Sequence, residues 1–157
     1  MKTCPIALAC LTLLTQPSRA DDRVDGVWVG RYICGQGETG LTLTIDSLMG
    51  GALQAQFLFY PTQKNTEVPV GCFAMAGTFD PTHRDIQLNA GRWILHPDGY
   101  VTVDLKGHLT GKGSDLQGTV AGPGCSTFNL HRINADPKHG SQSCRPPNIA
   151  MSMEIHP

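Results

Sequence analysis

The side chains able to do chemistry are many, and their spacing assembles none of the familiar centres. The histidines are His83, His96, His108, His131, His139 and His156. None stands two residues from another ligand on a strand, or four on a helix, so no metal site is expected and they read as surface and turn residues. No serine sits in the strained G-x-S-x-G elbow that exposes a nucleophile. Ser126 follows Cys125 in a glycine-rich turn, where a structural hydroxyl is expected. Asp98 and Asp104 could be offered as paired carboxylates, but Asp98 belongs to the turn Pro97-Asp98-Gly99. Gly35 to Gly40 could suggest a phosphate cradle, yet that needs a following helix N-terminus, and a threonine-alternating strand follows instead. The expectation is a protein that is not an enzyme and uses no cofactor.

The cysteines point elsewhere. The first twenty residues have the form of a signal peptide: Lys2, an apolar run from Ile6 to Leu14, and Ser18-Arg19-Ala20 before Asp21. The apolar run is too short to span a bilayer, which takes about 20 residues. Cleavage after Ala20 is preferred to lipidation at Cys10, because little apolar chain precedes that cysteine. Removing Lys2 and Arg19 from the 12 basic residues leaves 10 against 13 acidic ones, a net charge of −3. That balance offers no surface for nucleic acid or an anionic membrane. Cys34, Cys72, Cys125 and Cys144 remain, an even number in an exported chain and too dispersed for zinc. Two disulfides are expected, in a periplasmic or extracellular protein acting as a monomer.

The elements that must hold these residues are strands. Gly26 to Cys34 alternates with Trp28, Gly30, Tyr32 and Cys34 on one face. Past the glycine-rich turn, Leu41, Leu43 and Ile45 alternate with Thr42, Thr44 and Asp46, as in a half-buried strand. After Gly50-Gly51, Leu53, Ala55, Phe57 and Phe59 follow. Pro61 to Val70 reads as a longer loop. Gly71 to Phe79 is a strand, Ile86 and Leu88 mark a short fifth, and Gly91 to His96 fits either its continuation or a packed loop. Tyr100 to Leu109, Leu116 to Val120 and Cys125 to Ile133 complete about eight. Gly30, Ala55, Ala74 and Ala76 are small residues that would leave room inside or accept bulky neighbours. The fold class is all-β, an antiparallel up-and-down barrel or sandwich over 21–133, with an extended tail over 134–157.

With an even strand count, the last strand runs antiparallel to the first and can close the barrel. Trp28 then meets Arg132. In nearly the same register, one residue off, Cys34 meets Cys125, and a small bulge would absorb the difference. This favours Cys34–Cys125 among the three connectivities, and Cys72–Cys144 follows by elimination.

Gly26-Val27-Trp28 with Arg132 on the last strand resembles the signature of the calycin superfamily, which includes lipocalins and avidins. The resemblance implies that Trp28 plugs one end of the barrel and that Arg132 packs across it, a favourable cation–π arrangement. The segments Trp28 to Gly37, Gly91 to Ile94 and Gly122 to Phe128 also resemble a module of bacterial exported proteins. That module stands alone or accompanies larger domains, caspase-like peptidases among them, and implies no particular activity.

The function class that fits is an exported, disulfide-stabilised binding barrel, taking a small apolar ligand or an extracytoplasmic protein. Candidate ligand-binding residues at the end opposite Trp28 are Gln36, Glu38, Phe57, Phe59, Tyr60, Trp93, His96 and Tyr100. The alternatives are an inhibitor of a hydrolase, inserting Pro61 to Val70 into an enzyme cleft, or a structural envelope protein. A deep apolar cavity would favour ligand carriage; a filled barrel with a projecting loop would favour inhibition.

Overall fold

The structure is a computed structural model that describes residues 23–134 and Cys144. The expected leader, Cys10, His139, His156 and the rest of the expected tail lie outside the described residues. Eight strands follow one another: Gly26–Cys34 (β1), Gly37–Ser47 (β2), Ala52–Tyr60 (β3), Gly71–Asp80 (β4), Asp85–Leu95 (β5), Asp104–Thr110 (β6), Asp115–Ala121 (β7) and Thr127–Asn134 (β8). Each pairs antiparallel with the next, and β8 returns to β1, giving a closed barrel.

Alternation makes the core. Trp28, Leu43, Ile45, Phe57, Leu88, Leu105, Leu109, Leu116 and Leu130 point inward and are almost wholly removed from water. Each such large side chain contributes about 1.5–3 kcal/mol. In the closing register Trp28 lies opposite Arg132. The guanidinium carbon is 4.5 Å from the indole centroid, and Trp28 Nε1 donates to Val24 O at 2.9 Å. Arg132 also donates to Arg23 O, tying the entering chain over this end.

Both disulfides form as expected, Cys34–Cys125 and Cys72–Cys144. The bulge falls elsewhere. The register is unbroken from Trp28 to Tyr32 and shifts at Val27. Cys125 lies just before β8, in a turn where its N–H donates to Gly122 O and the Ser126 N–H donates to Ile33 O. Gly124, with φ of 66°, lets this turn press against Gly35, so close that a Cβ on Gly124 would lie 3.0 Å from Gly35 Cα.

The remaining differences have identifiable causes. The glycine-rich turn is only Gly35-Gln36, because Gly37 at a φ of 96° admits the chain directly into β2. β2 is buried on both faces from Leu41 to Ile45. On the outer side Thr42 donates to the Tyr60 hydroxyl. Leu58 and Cys72, cross-strand neighbours on the same outer wall, are buried where the Cys144 bridge attaches. Ala74 and Ala76 share the outward parity of Cys72, so they leave no room inside; Ala55 does point into the core. β5 is a single strand through Leu95 with register shifts, which settles Gly91 to Leu95 as its continuation.

The expected strand from Tyr100 begins only at Asp104. β5 pairs with β6 from Asp85 to Leu88 alone. Beyond that the two strands part, and Asp104 Oδ1 accepts the Ala90 N–H at 2.7 Å where the ladder ends. Tyr100 to Val103 peels away from β5, leaving Val101 60% exposed.

Candidate ligand-binding site

The barrel is filled at the Trp28 end and open at the other. A cavity of about 340 Å³ lies there, lined by residues of β1, β3 and β4, the hairpin turn, the segment from Gly99 to Val103, and Pro123 with Cys125. Its shape follows from the parting of β5 and β6. The turn Pro97–Tyr100, closed by the Tyr100 N–H on Pro97 O, carries Tyr100 back across the opening.

The walls are aromatic. Phe57 stacks on Phe73 with centroids 4.7 Å apart, and Phe59 stacks on Tyr100 at 5.3 Å. Tyr32 meets Phe57 edge-on at 5.2 Å. Trp93 lies behind this wall, edge-on to Phe73 at 5.2 Å, and carries His96 stacked on it at 4.4 Å. The Cys34–Cys125 bridge forms part of the rim. Among the lining residues none is charged.

The polar part of the site is small and held in place. Gln36 Nε2 donates to the Tyr32 hydroxyl at 2.9 Å and to Thr39 Oγ1 at 3.2 Å. Asn65 Nδ2 donates to the Gln36 backbone carbonyl at 2.6 Å. Burial pushes the Tyr32 phenol well above its usual pKa, partly offset by Thr39 and Gln36, so it is neutral at any physiological pH.

A scan against protein-family models finds no match to the chain, and a search of the curated proteins finds none either.

Of the expected ligand residues, Gln36, Phe57, Phe59 and Tyr100 come together around the cavity. Trp93 supports the wall from behind, and exposed His96 bonds the Tyr100 carbonyl at 3.0 Å. Glu38 and Tyr60 do not belong to this site. Strand parity turns both outward: Glu38 pairs with outward Ile33, and Tyr60 succeeds inward Phe59. Glu38 lies on the outer wall near Arg31 and Lys64 at 3.5 and 3.6 Å. Tyr60 lies over Gly40, where a Cβ would meet its ring at 2.4 Å.

The loop from Pro61 to Val70 is folded onto the barrel. Thr62 bridges Asn65 within it, Asn65 holds Gln36, and Val68 is buried in the core. The loop thus fixes the site's polar corner.

The sequence reading missed three carboxylate–histidine pairs on the outer surface: Asp80 with His83 at 2.6 Å, Asp85 with His108 at 2.8 Å, and Asp115 with His131 at 3.0 Å. The signal was available, since Asp85 and His108 are cross-strand partners, as are Asp115 and His131. The hydrogen bond to Asp80 raises the His83 pKa and lowers that of Asp80. Among the described residues no three such ligands converge on one point.

Proposed function

We propose that this protein is an exported, non-catalytic β-barrel that binds a small uncharged ligand in the cavity opposite Trp28, acting as a monomer. The observation that carries the reading is the aromatic, charge-free cavity of about 340 Å³ above a filled barrel floor. Its size and composition are those of small-molecule sites, concave and largely apolar with a few placed polar groups. The held-down loop from Pro61 to Val70 supports ligand carriage over insertion into an enzyme cleft. Two disulfides support an extracytoplasmic setting. The Trp28–Arg132 closure supports kinship with the calycin-type barrels.

The test is native mass spectrometry of the oxidised protein purified from its source, beside a Val101→Trp variant. Val101 is exposed and lines the cavity, so an indole there fills the mouth without disturbing the core. A small molecule retained by the natural protein, absent from the variant and released chemically unchanged is the expected result. Chemical conversion of that molecule by the protein would overturn the non-catalytic reading. A mass retained equally by both forms would overturn the cavity.

A further inference from the structure

The geometry points to Gln36 as the residue that selects the ligand: the cavity takes a neutral aromatic molecule bearing an N–H or O–H donor, which bonds Gln36 Oε1. This rests on the reading of the cavity as the binding site.

Charge is the first filter. The cavity lining includes no Asp, Glu, Lys, Arg or His. A carboxylate or ammonium seated here would lose its hydration and meet no counter-ion, which disfavours it strongly. Shape is the second. The Phe57–Phe73 and Phe59–Tyr100 stacks, with the Tyr32 ring edge-on to Phe57, line the cavity with aromatic carbon. Such walls suit a planar ring in offset or edge-to-face contact.

The third filter is the amide of Gln36. Its Nε2 is committed inward to the Tyr32 hydroxyl and Thr39 Oγ1, both on buried residues. Thr39 in turn donates to Gly37 O, and Asn65 fixes the Gln36 backbone. These bonds set which way the amide faces. Oε1 is left as the acceptor that Gln36 offers to the cavity, and it receives no hydrogen bond from the described residues. A carbonyl of this kind is hydrated in any open site. A ligand that covers it without donating leaves a desolvated carbonyl, whereas a donor replaces the water at no such cost. The hydroxyls of Tyr32 and Tyr100, both residues of the cavity lining, can accept from or donate to a second polar group. The fixed acceptor is what separates a donor-bearing ring from its isostere.

The experiment titrates the oxidised protein with indole and with 1-benzothiophene, its isostere lacking the N–H, by calorimetry, and repeats both with Gln36→Leu and Gln36→Met. Indole is expected to bind at least about tenfold more tightly than 1-benzothiophene to the natural protein. In either variant the two affinities should converge, mainly by weaker binding of indole. Equal affinities for the natural protein would overturn the role of Gln36 while leaving the cavity as a binding site. Failure of both probes to bind at millimolar concentration would overturn the cavity reading itself, and this inference with it. Equal affinities within the natural protein overturn the role of Gln36 even if both variants misfold.

Discussion

Arg132 lies across the indole of Trp28, its guanidinium carbon 4.5 Å from the ring centroid, and the two residues are direct partners in the β1–β8 ladder. The pair joins the first and last strands at the filled end of the barrel. Trp28→Ala should cost about 3–5 kcal/mol by opening a core cavity. Arg132→Met retains much of the stem and should cost about 0.5–2 kcal/mol, the range for cation–π contacts from exposed to desolvated. A double-mutant cycle by urea denaturation measures their coupling; independent, additive losses would mean that the contact contributes nothing.

The Cys34–Cys125 bridge closes 91 residues of chain and forms part of the cavity rim. Replacing both cysteines by alanine should lower stability by about 4–5 kcal/mol on the chain-entropy account. Removing Cys72–Cys144, across 72 residues, should give a similar loss. Only the first pair should also weaken ligand binding, because only it shapes the mouth. Parallel calorimetric titrations of the two variants distinguish the cases.

Tyr32 sets a prediction at high pH. Its pKa is raised in the folded protein by burial, so ionisation favours the unfolded chain. The sign follows: this stabilising contribution is complete below the ordinary tyrosine value of about 10 and is lost as pH rises through the folded value. Stability should therefore fall above pH of about 10, and Tyr32→Phe should make that fall shallower. Phenolate absorbance offers an independent readout. Of the three tyrosines, one should titrate only as the protein unfolds.

Asp104 holds the point where β5 and β6 separate, through its bond to the Ala90 N–H. Asp104→Ala leaves that amide without its charged acceptor and should cost about 1–3 kcal/mol. Amide exchange at Ala90 should accelerate, and ligand affinity should fall as the Pro97–Val103 segment loosens. Asp98→Ala, at an exposed turn position, should change stability by no more than about 0.5 kcal/mol. Equal effects from the two substitutions would remove the special role of Asp104.

The barrel and its closure were legible because alternation carries parity, and parity propagates through an antiparallel ladder. Once Trp28 is inward, Tyr32 and Cys34 follow, and the return of β8 brings Arg132 and Cys125 to them. The same rule would have turned Glu38 and Tyr60 outward, since each neighbours or pairs with a residue whose face was already fixed. The parting of β5 and β6 was not legible. Val101 and Val103 keep the strand period although their segment has left the sheet, and the residue that ends the ladder, Asp104, has the same type as any turn carboxylate. The burial of Thr42 and Thr44 was hidden for a different reason. Thr42 bonds the Tyr60 hydroxyl across the outer face, and alternation along β2 says nothing about what lies there.

The pairing of β1 with β8 has a consequence for when the protein can become whole. Trp28 and Arg132 are among the most distant partners along the chain, and β1 cannot complete its ladder until nearly the entire barrel sequence is present. Hairpins from β1 to β7 can form as neighbours; closure waits for the last strand and bears the loop entropy of the full barrel. Until then β1 has one edge unpaired, the condition in which strands join the wrong partner. An open-edged intermediate of this kind is the state from which mispairing and aggregation would start.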